Sequence, residues 1–154
     1  MQAPTKIVPT KDADYLEVMT KAVFQSGFSW AVINAKWQGF RAALDEFDPQ
    51  TIADYGEDKV TELYQDERII RNKSKINATV HNARTLLAKS GEYGSFKEYL
   101  DSFEDFESCV ADLRKSFKWL GDFGAFYFLY VVDQPVPSYE DWCRSRGKTP
   151  LAED

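Results

Sequence analysis

Leu113 to Val132 reads LRKSFKWLGDFGAFYFLYVV, and the way this stretch divides decides the fold. Val110, Leu113 and Phe117 recur at spacings of three and four, the stripe of an amphipathic helix, before a glycine-containing turn breaks the pattern. An almost wholly apolar run follows. Its second half, Phe126 to Val132, is rich in aromatic and β-branched residues, which also suit a buried strand. No other stretch alternates with period two, so a strand here has nothing to pair with and a helix is expected. Two helices joined by a tight glycine turn leave backbone N–H groups pointing outward at the start of the second, a ready seat for a phosphate. Arg114, Lys115 and Lys118 stand beside it. The same turn can equally be a plain connection.

Outward from this turn the chain reads as helix after helix. Residues 1–10, with two prolines and no periodicity, are expected to form a flexible arm. Thr10 or Asp12 can cap a first helix carrying Leu16, Met19 and Val23 on one face, which stops at Ser26-Gly27. Ser29 caps a second helix to about Phe47, with Ile33, Trp37, Phe40 and Leu44 in register. Asp48-Pro49 starts a short helix ending near Gly56. Val60, Leu63 and Tyr64 mark another. Ile76, Val80, Ala83 and Leu87 form the stripe of a longer one, closed at Gly91. Ser95–Phe103 and Asp105–Phe117 lead into the turn. Pro135 and Pro137 impose an extended link, and Ser138 caps a last helix. Eight or so helices in one domain, residues 11–147, with a flexible tail over 148–154, make an all-α bundle.

The totals bound the function. The chain has 154 residues, 44% hydrophobic and 15% aromatic, enough for one core. Its net charge of −6 excludes a protein coated in basic surface, so contact with a polyanion must come from a local patch. One exists: Arg68 to Gly91 contains no Asp or Glu, while Arg68, Arg71, Lys73, Lys75, Arg84 and Lys89 lie within it. Cys109, Cys143 and the single His81 have no metal-ligand spacing, so neither metal nor cofactor is expected. No apolar run is long enough to span a bilayer, and the first residues lack the apolar core of a signal peptide. A soluble monomer in a reducing, cytoplasmic compartment is the expectation.

Three stretches, YLEVMTKAVFQSGFSW (Tyr15–Trp30), RIIRNKSKINATVHNARTLL (Arg68–Leu87) and FKWLGDFGAFYF (Phe117–Phe128), resemble in order and spacing the DNA-3-methyladenine glycosylase I family of the helix-hairpin-helix glycosylase superfamily. The resemblance covers about residues 12–133. It implies a helical bundle with a helix-hairpin-helix motif, and monofunctional excision of alkylated purines such as 3-methyladenine from double-stranded DNA in base-excision repair. The damaged nucleotide is flipped into a pocket. Trp30 matches the family's stacking tryptophan, over which a cationic purine gains from cation–π attraction. The loop Gln25 to Phe28, with Gly27 inside it, matches the segment that wedges into the duplex. Gly121, Phe123 and Gly124 match the phosphate-binding turn, flanked by Lys118. Arg71, Lys73 and Lys75 are its expected phosphate partners. Trp119 replaces a glycine of many relatives, Asp122 brings a negative charge close to the anion site, and Phe123 occupies the nucleophilic lysine position of the lyase members, which removes Schiff-base chemistry.

The bland alternatives stand beside these roles. Trp30 reads equally as a core residue near a helix start, Phe28 as a hydrophobic staple, and the basic segment as a solvated loop. Asp141, with Glu140 beside it, falls where superfamily members place a catalytic aspartate, and equally where a first-turn carboxylate meets the helix dipole. The family's pocket glutamate aligns with Ala22, and its N-terminal pocket aromatics and zinc-binding Cys and His residues have no counterpart. Glu17, one turn earlier, is a substitute or a surface residue; Tyr127 and Tyr130 line the pocket or fill the core. A non-catalytic binder of damaged or distorted DNA, and a protein-interaction domain that keeps the bundle, are the competing readings.

Overall fold

The computed structural model describes residues 3–148, which hold nine α-helices and no strand. They are α1 (Asp12–Gln25), α2 (Trp30–Ala43), α3 (Pro49–Ala53), α4 (Glu57–Tyr64), α5 (Lys73–Tyr93), α6 (Phe96–Asp101), α7 (Phe106–Ser116), α8 (Asp122–Val131) and α9 (Tyr139–Ser145). The ambiguous run is therefore helical. Nearly every face of α8 is apolar because its neighbours enclose it: Ala125 to Leu129 and Val131 are all buried, against α1 on one side and α7 on the other.

Side-chain caps start most helices. Ser29, Asp48, Asn72, Ser95, Asp105 and Ser138 each accept from a backbone N–H three residues on. At α1 the cap position is Lys11 rather than Thr10 or Asp12, and Asp14 instead reaches back to accept from the Thr10 N–H at 2.9 Å. The second helix ends at Ala43, short of Phe47, because Asp45, Glu46 and Phe47 all take left-handed φ angles of 51°, 55° and 60°. Helix α5 runs through Gly91 and ends at Gly94, whose φ of 97° supplies the left-handed exit that Gly91 was expected to give.

The core gathers α2, α5 and α8 around α1, and α5 also packs on α3, α4 and α6. Gly39 interrupts α2 for a steric reason. A Cβ there would lie 2.5 Å from the Arg68 carbonyl oxygen, so the connection into the basic segment crosses directly over α2. A separate, smaller cluster of Phe126, Trp142 and Cys143 holds α9 against the outer side of α8. Residues 3–10 are extended and lie along the bundle, with the Ile7 N–H donating to the Val131 carbonyl at 2.8 Å and Lys6 lying over the Tyr130 ring. Of the expected tail, residues 149–154 lie outside the described residues.

Candidate functional site

The turn between α7 and α8 is fixed from α5. Asn82, buried, donates to the Lys118 carbonyl at 3.1 Å and accepts from the Lys118 N–H at 2.8 Å, while His81 Nε2 lies 3.1 Å from the Ser116 carbonyl. Trp119 follows with a φ of 60°, a conformation costing a bulky residue about 1–3 kcal/mol. Its ring is 51% exposed. Gly121 is the cap of α8, and no side chain caps the helix. The first-turn amides thus face outward, as an anion requires. Asp122 does not leave its charge bare. Arg146 bonds it at 2.8 Å, Arg114 lies 3.9 Å away, and the Arg146 hydrogen bond holds the carboxyl below its ordinary range.

Gln25 to Phe28 forms a neighbouring protrusion. Gly27 takes a φ of 87°, the Phe28 N–H donates to the Gln25 carbonyl, and the Gln25 side chain donates to the Phe28 carbonyl at 3.1 Å. Phe28 is 39% exposed at its tip. Lys75 sits beneath both protrusions. It is only 2% exposed, and its ammonium donates to the carbonyls of Phe24 and Ser26 while lying 5.1 Å from the Phe28 ring and 5.5 Å from the Trp119 ring. Burial lowers its pKa. The expectation that Lys75 holds a phosphate is corrected here: its ammonium satisfies the carbonyls that end α1 and cannot reach solvent.

A pocket of about 510 Å³ lies against the arm, lined from α1, α2 and α8. Trp30 and Tyr127 form one wall, their rings 4.7 Å apart at 36°, and Phe123 and Trp37 extend the aromatic lining. Glu17 lines it as well. Its carboxylate accepts from the Trp37 indole N–H at 2.9 Å and pairs with Arg41, which also pairs with Glu46. Lys21, one turn further along α1, brings its ammonium 5.2 Å over the Trp37 ring. Pro4, Thr5 and Ile7 of the arm close another side. Tyr130 is not among the lining residues. Ala22, 5% exposed, faces α8, and a Cβ on Gly124 would lie 3.7 Å from its own Cβ.

Of the remaining candidates, Arg71 is exposed, while Lys73 and Lys118 line a second groove of about 690 Å³ beside the hairpin, together with Arg84 and His81. The basic segment contributes less free charge than its composition suggests. Arg68 pairs with Asp66, Lys89 with Asp112, and Arg84 donates to the Ala53 carbonyl. Asp141 is exposed on α9, pairs with Arg144 at 3.1 Å, and does not line the pocket. Sequence reasoning missed Asn82, Lys21, Trp37 and the arm. The first is hidden in a basic helix; Glu17 and Lys21 were visible as polar residues four apart beside the buried face of α1. Among the described residues no group of His, Cys, Asp or Glu could hold a metal ion, and no helix is long and apolar enough to cross a membrane.

The chain is 35% identical over 97 residues to DNA-3-methyladenine glycosylase 1 of Escherichia coli (strain K12), covering 62% of this chain and 52% of that protein. It is 33% identical over 91 residues to DNA-3-methyladenine glycosylase of Haemophilus influenzae, covering 58% of this chain and 48% of that protein. The chain thus spans about half the length of the curated relatives it matches. A crystal structure of 3-methyladenine DNA glycosylase I superposes with a TM-score of 0.71 at 25% identity, covering 82% of this chain and 81% of that one. The Staphylococcus aureus enzyme, solved for the structural basis of 3-methyladenine recognition, superposes with a TM-score of 0.73 at 21% identity over 83% of this chain and 79% of its own, a likeness of fold. The family described as methyladenine glycosylase matches residues 7–120, from the arm beside the pocket to the turn that precedes α8. With that match over most of its length and the corresponding fold, the chain belongs to the methyladenine glycosylase family.

Proposed function

We propose that the protein is a monofunctional DNA N-glycosylase that excises alkylated purines from double-stranded DNA in base-excision repair. The observation that carries this reading is the aromatic pocket of Trp30 and Tyr127, opening beside two exposed aromatic tips and an uncapped helix start. A flipped purine needs a flat π surface, a filler for the gap it leaves and an anchor on the adjoining phosphate. Trp30 and Tyr127 supply the first. Phe28, on the Gln25–Gly27 loop, and Trp119 beside it supply the second. The amides after Gly121, at Phe123 and Gly124, supply the third, with Arg71, Lys73 and Lys118 as outlying phosphate partners.

Hydrolysis breaks the bond between the sugar C1′ and the base nitrogen as water adds at C1′. An N-alkylated purine is already cationic and leaves readily, so positioning and exclusion of competing water carry most of the rate. No lysine stands where a lyase member has its nucleophile; Phe123 is there instead. Asp141 is not given the catalytic role, because its ion pair with Arg144 lies outside the pocket lining. The chain acts as a monomer in this reading. The family proteins it matches are about twice its matched length, and the resemblance implies that Ala22 stands where the family has its pocket glutamate. That substitution favours the second reading, a binder of damaged DNA without catalysis.

The deciding experiment incubates purified protein with methylated duplex DNA and separates free bases by chromatography. Release of 3-methyladenine is expected. Binding to that duplex without release selects the second reading, and absence of both removes the two together.

A further inference from the structure

Lys21 is a cation placed in a pocket whose family chemistry favours cationic bases, and the surrounding groups give it nothing to do. Among the described residues its ammonium has neither a hydrogen bond nor an ion pair; it lies over the Trp37 ring and feels the charge of Glu17 one turn before it. Glu17 cannot serve a ligand freely. One of its oxygens accepts from Trp37 and the other from Arg41, whose charge offsets the carboxylate. The pocket's carboxylate is thus occupied internally, and of its two charged lining residues the one left without a hydrogen bond or ion pair is the Lys21 cation. Ala22, packed toward α8, offers no carboxylate to restore the balance.

We propose that Lys21 gives this pocket a second substrate class: neutral purines that present a carbonyl or ring-nitrogen acceptor, of which hypoxanthine is the simplest. This inference rests on the glycosylase reading of the same site. A cationic N-alkylated purine gains stacking on Trp30 and Tyr127 but meets the like charge of Lys21 across the cavity. A neutral purine gains the same stacking, and its acceptor takes a hydrogen bond from the ammonium.

The ammonium also meets the chemical need of a neutral leaving group. Water adds to C1′, the bond from C1′ to the base nitrogen breaks with its electron pair passing to the base, and the ammonium donates a proton to that base. The amine then recovers a proton from the water that has added, so the sum is hydrolysis. Burial lowers the pKa of Lys21, opposed in part by Glu17, which makes the proton easier to give up than that of an exposed lysine.

The test is single-turnover base release from two duplexes, one methylated and one carrying a single hypoxanthine, by the unaltered protein and by Lys21→Met. Release of hypoxanthine is expected from the unaltered protein. In Lys21→Met the ratio of hypoxanthine to 3-methyladenine release should fall at least about tenfold, within the range ascribed to a positioned acid. An equal change on both duplexes would mark a merely structural lysine and overturn the proposal. So would release of 3-methyladenine without hypoxanthine, which would leave the glycosylase reading intact. Release from neither duplex removes that reading, and this inference with it.

Discussion

Lys75 and Trp119 are each a residue whose type misled and whose environment explains it. A lysine at a helix start in a basic segment reads as a phosphate ligand, but here its ammonium lies beneath two aromatic rings and ends α1 by binding carbonyls. The two kinds of lysine are separable by salt. Arg71→Ala or Lys118→Ala should each reduce the slope of log affinity against log salt for duplex DNA by about 0.9, one phosphate contact's worth. Lys75→Met should leave that slope unchanged and lower stability by about 1–3 kcal/mol, because the Phe24 and Ser26 carbonyls lose their donor. Titrations at four salt concentrations with a urea melt would check both. A shallower slope in Lys75→Met would return it to the DNA interface. Trp119 was noticed only as a departure from glycine; that the chain bends into a left-handed φ to expose its ring is a property of coordinates, invisible in residue identity.

At the scale of elements, stripes and caps were legible and ends were less so. Ser29, Asp48 and Ser138 start helices as their side chains dictate. Gly91 does not end α5, since a glycine inside a helix costs only about 1 kcal/mol and the left-handed exit falls at Gly94 instead. The α8–α9 tie could not be foreseen, because Arg146 and Asp122 meet across 24 residues. Its consequence is a pH dependence of defined sign. The folded-state pKa of Asp122 lies below its ordinary 3.8, owing first to the Arg146 hydrogen bond. That stabilisation is complete above the ordinary value and is lost as pH falls through the lowered one. Asp122→Asn should therefore cost about 1–2 kcal/mol at neutral pH and flatten the acid limb of the stability curve below about pH 4. Denaturant melts at several acidic pH values would show this; an unaltered acid limb would dissolve the assignment.

For the whole molecule, the helical class and the turn between α7 and α8 followed from periodicity, and the family from three quoted stretches. The pocket did not, because it is assembled from segments far apart: α1, α2, the arm, and an α8 that begins beyond the family match at residue 120. Long-range assembly is what a one-dimensional pattern cannot report, and it placed Lys21 beside Trp37 while leaving Asp141 outside.

The two clusters that divide the apolar interior also differ in completeness. Among the described residues, Trp142 holds a buried indole N–H with no acceptor, a deficit of about 1–3 kcal/mol in the small cluster that keeps Cys143 from solvent. Cys109 belongs to the large cluster, where burial pushes its thiol up to about 12. The pair amounts to two clocks wound to different springs. Under native conditions a thiol reagent should modify Cys143 first, at the rate at which α9 lifts away, and Cys109 only with global opening. Mass-resolved labelling would read both times from one sample, and equal rates would mean that the bundle opens as a single unit.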